Sequence, residues 1–143
     1  MTRQLLMVLV VSCPCALAEP PKKDHDLLQG RWVMAALEVN GKLVPEERLR
    51  DAFLEIKGDK YITTTKNRSI ETRFTLDPSK KPKTIDMVFT DGEKKGKVHK
   101  GIYELTGDTL KICRGLEANQ ERPTELATWP GTNVFLVTWK RVK

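Results

Sequence analysis

Residues 101–113 read GIYELTGDTLKIC, two β-type runs separated by Gly107-Asp108. A two-residue Gly-Asp loop is hairpin chemistry, because glycine supplies the positive φ that a tight turn between twisted strands needs. With that loop at the tip, Leu105 faces Leu110, Glu104 faces Lys111 and Tyr103 faces Ile112. Apolar meets apolar and acid meets base, so the register is self-consistent. The same pattern occurs upstream in EIKGDKYI, where Gly58-Asp59 sets Ile56 opposite Tyr61.

Moving outward from these hairpins, turn chemistry divides the chain into about eight strands. They are expected over residues 31–39, 53–57, 60–65, 70–76, 84–89, 98–106, 109–114 and 134–142. The middle strands alternate cleanly, with Ile70, Thr72, Phe74 and Leu76 on one face and Ile85, Met87 and Phe89 repeating the pattern. PEERLRDA at 45–52 is the one helical candidate, with proline in a permitted first-turn position and acids after it. Consecutive strands joined by short loops form a meander, and a closed meander of this size is an up-and-down barrel. The expected fold is therefore all-β, a single domain over residues 27–143. Loops must alternate between the two ends. The Gly58, 77–83 and Gly107 turns, with the start of strand one at Trp32, make a tight floor. The loops at 40–52, 66–69, 90–97 and 115–133 make a loose mouth.

The bulk composition agrees with a globular domain. Of the 143 residues, 39% are hydrophobic and 31% charged, with a formal net charge of +6, which excludes a disordered tail. No apolar stretch reaches the roughly 18–20 residues of a membrane span. The opening MTRQLLMVLVVSCPCALAEP places Arg3 before an apolar run and ends in Ala16-Leu17-Ala18, the layout of an export signal over residues 1–18. VVSC ending at Cys13 also resembles a lipobox, in which that cysteine is lipidated, so cleavage after Ala18 and a lipid anchor at Cys13 stand as alternatives. Either places the chain outside the cytoplasm, in the periplasm, the envelope or the medium. Residues 19–26, EPPKKDHD, read as a flexible lead-in. Cleavage after Ala18 would remove Cys13 and Cys15 and leave Cys113, with no internal disulfide and no cysteine-based metal cage.

Two resemblances follow from these residues. Gly30-x-Trp32 on the first strand with Arg141 on the last resembles the lipocalin pattern, in which a basic side chain packs over the strand-one tryptophan. LLQGRW, EVNGKLVPEE, GDKY, LDPSKKPKTID, GKVHKGIYELTGDTLKIC and RPTE, in that order, are similar to an uncharacterised family of small exported planctomycete proteins. That resemblance runs from about Leu27 to the C-terminus. It implies a lipocalin-like fold and an exported location, and it carries no activity or catalytic residue.

Candidate chemistry is sparse. His99 and Cys113 are the one conceivable nucleophile pair, but the hairpin register points them to opposite faces of the sheet. His25 and His99 have no metal-ligand spacing. A lone interior His99 could hold a haem iron, although a hydrogen-bonded histidine near the mouth is the plainer reading, and no cofactor is expected. The lysine runs at 80–83 and 93–97 fall at opposite ends of the barrel without interleaved aromatics, which argues against nucleic acid. Trp129, before a Pro-Gly turn in the last long loop, reads either as an exposed contact or as a cap over the barrel top. The interior face supplies the remaining candidates: Tyr61, Phe74, Met87, Phe89, His99 and Tyr103, with Trp129 at the rim. The expected function is non-catalytic binding of a small, mostly apolar ligand by a monomer. The alternative is a filled-core module that binds a protein or envelope component through its mouth loops. An interior void above roughly 300 Å³ separates the two.

Overall fold

A computed structural model of the chain describes residues 23–143; the expected export signal over residues 1–18, with Cys13 and Cys15, and residues 19–22 lie outside the described residues. The fold is all-β, a lipocalin-like up-and-down antiparallel barrel. Its strands are β1 (Gly30–Val39), β2 (Lys42–Leu43), β3 (Phe53–Lys57), β4 (Lys60–Thr64), β5 (Ser69–Asp77), β6 (Lys83–Phe89), β7 (Val98–Thr106), β8 (Thr109–Gly115) and β9 (Val134–Arg141). Strands β1 and β3 to β9 pair in sequence order, and β1 pairs with β9 to close the barrel, while β2 adds to the far end of β1. Both Gly-Asp hairpins have the expected register: Leu105 opposite Leu110, Glu104 opposite Lys111 and Ile56 opposite Tyr61.

Three features differ from the sequence reading, each for a local reason. The helix expected over 45–52 is reduced to one 3-10 turn, Glu46–Arg48. Leu49 and Ala52, which follow it, are buried instead against the barrel. Conversely, the polar lead-in contains a short helix, α1 (Asp24–Leu27). Its Asp24 carboxylate accepts hydrogen bonds from Lys83 Nζ at 2.8 Å and Tyr103 Oη at 2.7 Å, and Leu28 just after it is buried in the core. Burial by itself would raise the Asp24 carboxyl, but the Lys83 and Tyr103 hydrogen bonds and the Lys83 charge hold it below the usual carboxylate value.

The third difference concerns the 116–133 connection. Rather than standing at the mouth, it folds down over the outside of β6 to β9. There the outward-facing Ile102, Cys113 and Val134 form an apolar strip that Leu126 and Leu136 cover. Arg122 fixes the loop by pairing with Asp86 at 2.7 Å and donating to the Gly101 carbonyl at 2.8 Å. Thr128 Oγ1 ties its far end to Glu38 at 2.6 Å.

A β-bulge between Met34 and Ala36 decides what β1 presents to the interior. Strict alternation from Trp32 would turn Leu37 and Val39 outward. The extra residue resets the phase, so that Met34, Leu37 and Val39 all face the same interior space.

Candidate binding cavity

The floor is built around Trp32, which is fully buried and donates from Nε1 to the Leu28 carbonyl at 3.0 Å. Antiparallel closure places Arg141 directly opposite Trp32. The guanidinium carbon lies 4.2 Å from the Trp32 ring centre, well inside the range of a cation–π contact. Its Nη1 donates to Gln29 O at 2.9 Å, its Nη2 donates to Leu27 O, and its Nε sits 3.3 Å from Asp108 Oδ1. The Gly-x-Trp spacing now has a physical reason. Gly30 has φ +119, and a Cβ there would lie 3.5 Å from Arg141 Nη1, so a side chain would add backbone strain where the guanidinium crosses.

Above this plug the lower half of the barrel is solid. Trp32, Leu54, Ile56, Phe74, Ile85, Tyr103 and Leu110 pack into one core with Leu28. The upper half is not filled. A cavity of about 330 Å³ opens between the mouth-facing ends of the strands. Its walls are Met34 and Val39 of β1, Tyr61 and Thr63 of β4, Thr72 of β5, Met87 and Phe89 of β6, Ile112 and Arg114 of β8, and Phe135, Val137 and Trp139 of β9. Tyr61, Met87, Ile112, Val137 and Trp139 belong to both levels, packing on the core below and walling the cavity above.

The candidates from the sequence divide along this boundary. Tyr61, Met87 and Phe89 line the cavity. Phe74 and Tyr103 do not: they point inward at floor level, where His25 stacks on Phe74 at 5.6 Å and Asp24 takes the Tyr103 hydroxyl. His99 is buried beside the cavity, behind Phe89 at 5.0 Å between ring centres, and it does not line the void. Trp129 stands 48% exposed on the outer loop, among residues 120–134 that form a separate surface groove. It neither caps the barrel nor reaches the interior, because the loop that carries it is occupied with covering the apolar strip.

Arg114 is the residue that the sequence reading missed. It shares the inward parity of Leu110 and Ile112, so a charged side chain at an interior position was the available signal. Its guanidinium lies 4.4 Å from the Phe135 ring centre. Nη1 donates to His99 Nδ1 at 2.8 Å and to the Gly115 carbonyl at 3.1 Å. Burial pushes its pKa down to about 10, with the Tyr61 phenol opposing that shift, which still leaves it charged at neutral pH. Tyr61 Oη accepts the Trp139 indole N–H at 2.8 Å. Burial holds this phenol far above its usual value, and therefore neutral, although the Arg114 charge and the Trp139 hydrogen bond pull the other way.

Because an arginine N–H donates to His99 Nδ1, the imidazole is neutral with its proton on Nε2. Burial first, and then the neighbouring Arg114 charge, hold its pKa below the ordinary 6.5, and Lys94 and Lys97 act in the same direction against the Gly115 carbonyl. Glu117 lies in the same surface groove as these lysines and His99. An unfolded chain then binds a proton near pH 6.5 that the folded chain resists. Stability from this group is complete above that value and falls as the pH drops through it. Urea melts between about pH 7 and 5 should show this loss, and His99→Gln should flatten it. An unchanged slope in the variant would count against the neutral, Arg114-bonded imidazole.

Cys113 faces away from the cavity, fully buried under the outer loop, with Sγ 3.7 Å from the Ala127 carbonyl. Burial pushes its thiol up, so little thiolate forms at neutral pH. The expected outcome is that a disulfide-exchange reagent labels Cys113 in urea and leaves it unlabelled in the native protein. Rapid native labelling would show that the loop opens readily.

Among the described residues, no three His, Cys, Asp or Glu side chains converge as metal ligands, and no helix is long and apolar enough to cross a membrane. Comparisons with protein-family models, curated proteins and solved structures return no match to this chain. The reading of function therefore rests on the cavity.

Proposed function

We propose that the chain is a non-catalytic carrier or sensor that holds one small, mostly apolar molecule in the upper half of its barrel, outside the cytoplasm. One observation carries this reading: the void of about 330 Å³ walled by Met34, Met87, Phe89, Ile112, Phe135 and Val137. It exceeds the roughly 300 Å³ at which ligand pockets begin. A barrel this narrow can fill itself with side chains, and the lower half does so. Leaving the upper half open to the mouth exposes its apolar lining to water, a cost that a bound apolar ligand offsets by burying the same surface. The residues 1–18 signal and the resemblance to exported proteins support the location.

The test is native mass spectrometry of the protein recovered from its exported fraction, with and without denaturing release. The expected result is an added mass that denaturation frees as a small apolar molecule. Protein that carries no added mass, and gains none when equilibrated with a mixed extract of envelope lipids, would contradict the reading and leave in its place an interaction module that works through its loops.

A further inference from the structure

The cavity wall is apolar except at a few places, and its charges have one sign. Arg114 and, at the rim, Arg68 are the charged residues of the lining, and no Asp or Glu joins them. The nearest groups to the Arg114 guanidinium are the neutral His99, the Gly115 carbonyl and the Phe135 ring. Among the described residues it makes no ion pair, although six between Lys or Arg and Asp or Glu do form within 4.0 Å. Arg114 is half-buried, and withdrawing a cation even partly from water without a counter-charge is costly, so chains ordinarily pair it. A π-face and a carbonyl compensate only in part.

The pattern of used and unused donors is informative. Nη1 carries both hydrogen bonds, to His99 Nδ1 and to Gly115 O. Nε and Nη2 have no partner among the described residues. Those two nitrogens share one edge of the guanidinium, and their parallel N–H bonds match the two oxygens of a carboxylate. His99, by accepting from Nη1, fixes the plane of the group and so acts as a positioning residue. Tyr61 adds to this: its oxygen accepts from Trp139, and its own hydroxyl proton has no acceptor among the described residues. Two unspent donor groups therefore belong to one largely apolar cavity.

We propose that the ligand is an amphiphile with an anionic head, a carboxylate in the simplest case, which Arg114 takes through its free edge while the alkyl portion fills the apolar upper barrel. This rests on the binding reading above and narrows it to a ligand class. An apolar molecule without the head would fill the same space, shut water away from the half-buried Arg114 guanidinium and give it no counter-charge.

The experiment is calorimetric titration of the exported chain with three probes of one length: decanoate, decanol and decylammonium. The wild type should bind decanoate at least tenfold more tightly than decanol, with decylammonium weakest. Arg114→Gln should lower decanoate affinity at least tenfold and abolish the preference for decanoate over decanol. Equal affinity for decanoate and decanol, or a decanoate preference that survives Arg114→Gln, would overturn the head-group assignment while leaving apolar binding intact. Binding of none of the three would overturn the binding reading itself. The wild-type ranking of the three probes decides the proposal even if the variant folds poorly.

Discussion

Trp32→Ala is expected to destabilise the fold by about 3–5 kcal/mol, the range of large aromatic truncations in cores. The ring is fully buried at the centre of the floor. Its loss removes the contact with Arg141 and leaves the Leu28 carbonyl without the indole donor. Collapse around the space is restricted, because β1 is held there by β3 on one side and by β9 on the other. Urea melts measure the effect directly. A loss below about 1 kcal/mol would mean that α1 and Leu28, rather than the tryptophan, close the barrel.

Arg141→Ala is the second large effect, expected at about 2–3 kcal/mol. A cation–π contact of this kind is worth about 0.5–2 kcal/mol. Two floor carbonyls, Gln29 O and Leu27 O, lose their donor as well, at about 1 kcal/mol each where water replaces it poorly. Arg141→Lys should lie between, since lysine retains attraction to Asp108 and loses the planar stacking and the fork of donors. The decisive comparison is a double-mutant cycle. If the two side chains act as one plug, Trp32→Ala and Arg141→Ala together should cost less than the sum of the separate losses by about 1 kcal/mol. Strict additivity would show that each supports the floor independently.

The fold was legible because its two strongest signals were local. Gly58-Asp59 and Gly107-Asp108 pin two hairpins, and period-two alternation then fixes which face of each strand is buried. Closure was legible for the same reason: an up-and-down order with eight strands brings the first and last to one end, so Trp32 and Arg141 meet across the seam. What the sequence hid was mostly a matter of phase and of height. The bulge after Met34 shifts Leu37 and Val39 into the cavity, and a run such as VMAALEV does not announce where an extra residue sits. Alternation tells inward from outward but not floor from mouth, which is why Phe74 and Tyr103 fell among the candidates for the cavity and belong to the plugged half. The α1 helix was obscured by its polar composition, since what orders it is the Asp24 carboxylate and the Leu28 side chain after it rather than an apolar face of its own.

Arg114 shows a more general difficulty. A reading that collects apolar and aromatic residues into an interior passes over a charged residue that shares their parity, although such a residue is the more informative one. The paired strands of the hairpin already placed it inward, beside Ile112 and across from Gly101. A Cβ at Gly101 would lie 2.9 Å from the Arg114 Cβ, so the glycine leaves room for the start of that side chain.

The division of the barrel into a solid lower half and a hollow upper half is tested most directly by mapping where an apolar ligand sits. Backbone amide shifts followed by NMR during titration with decanol provide this, because the probe tests the void without calling on Arg114. Changes should concentrate at Thr63, Thr72, Ile112 and Val137, with Leu54, Ile85 and Leu110 of the lower half nearly still. Shifts confined to Trp129 and the outer groove, or no saturable shifts at all, would contradict an interior binding site.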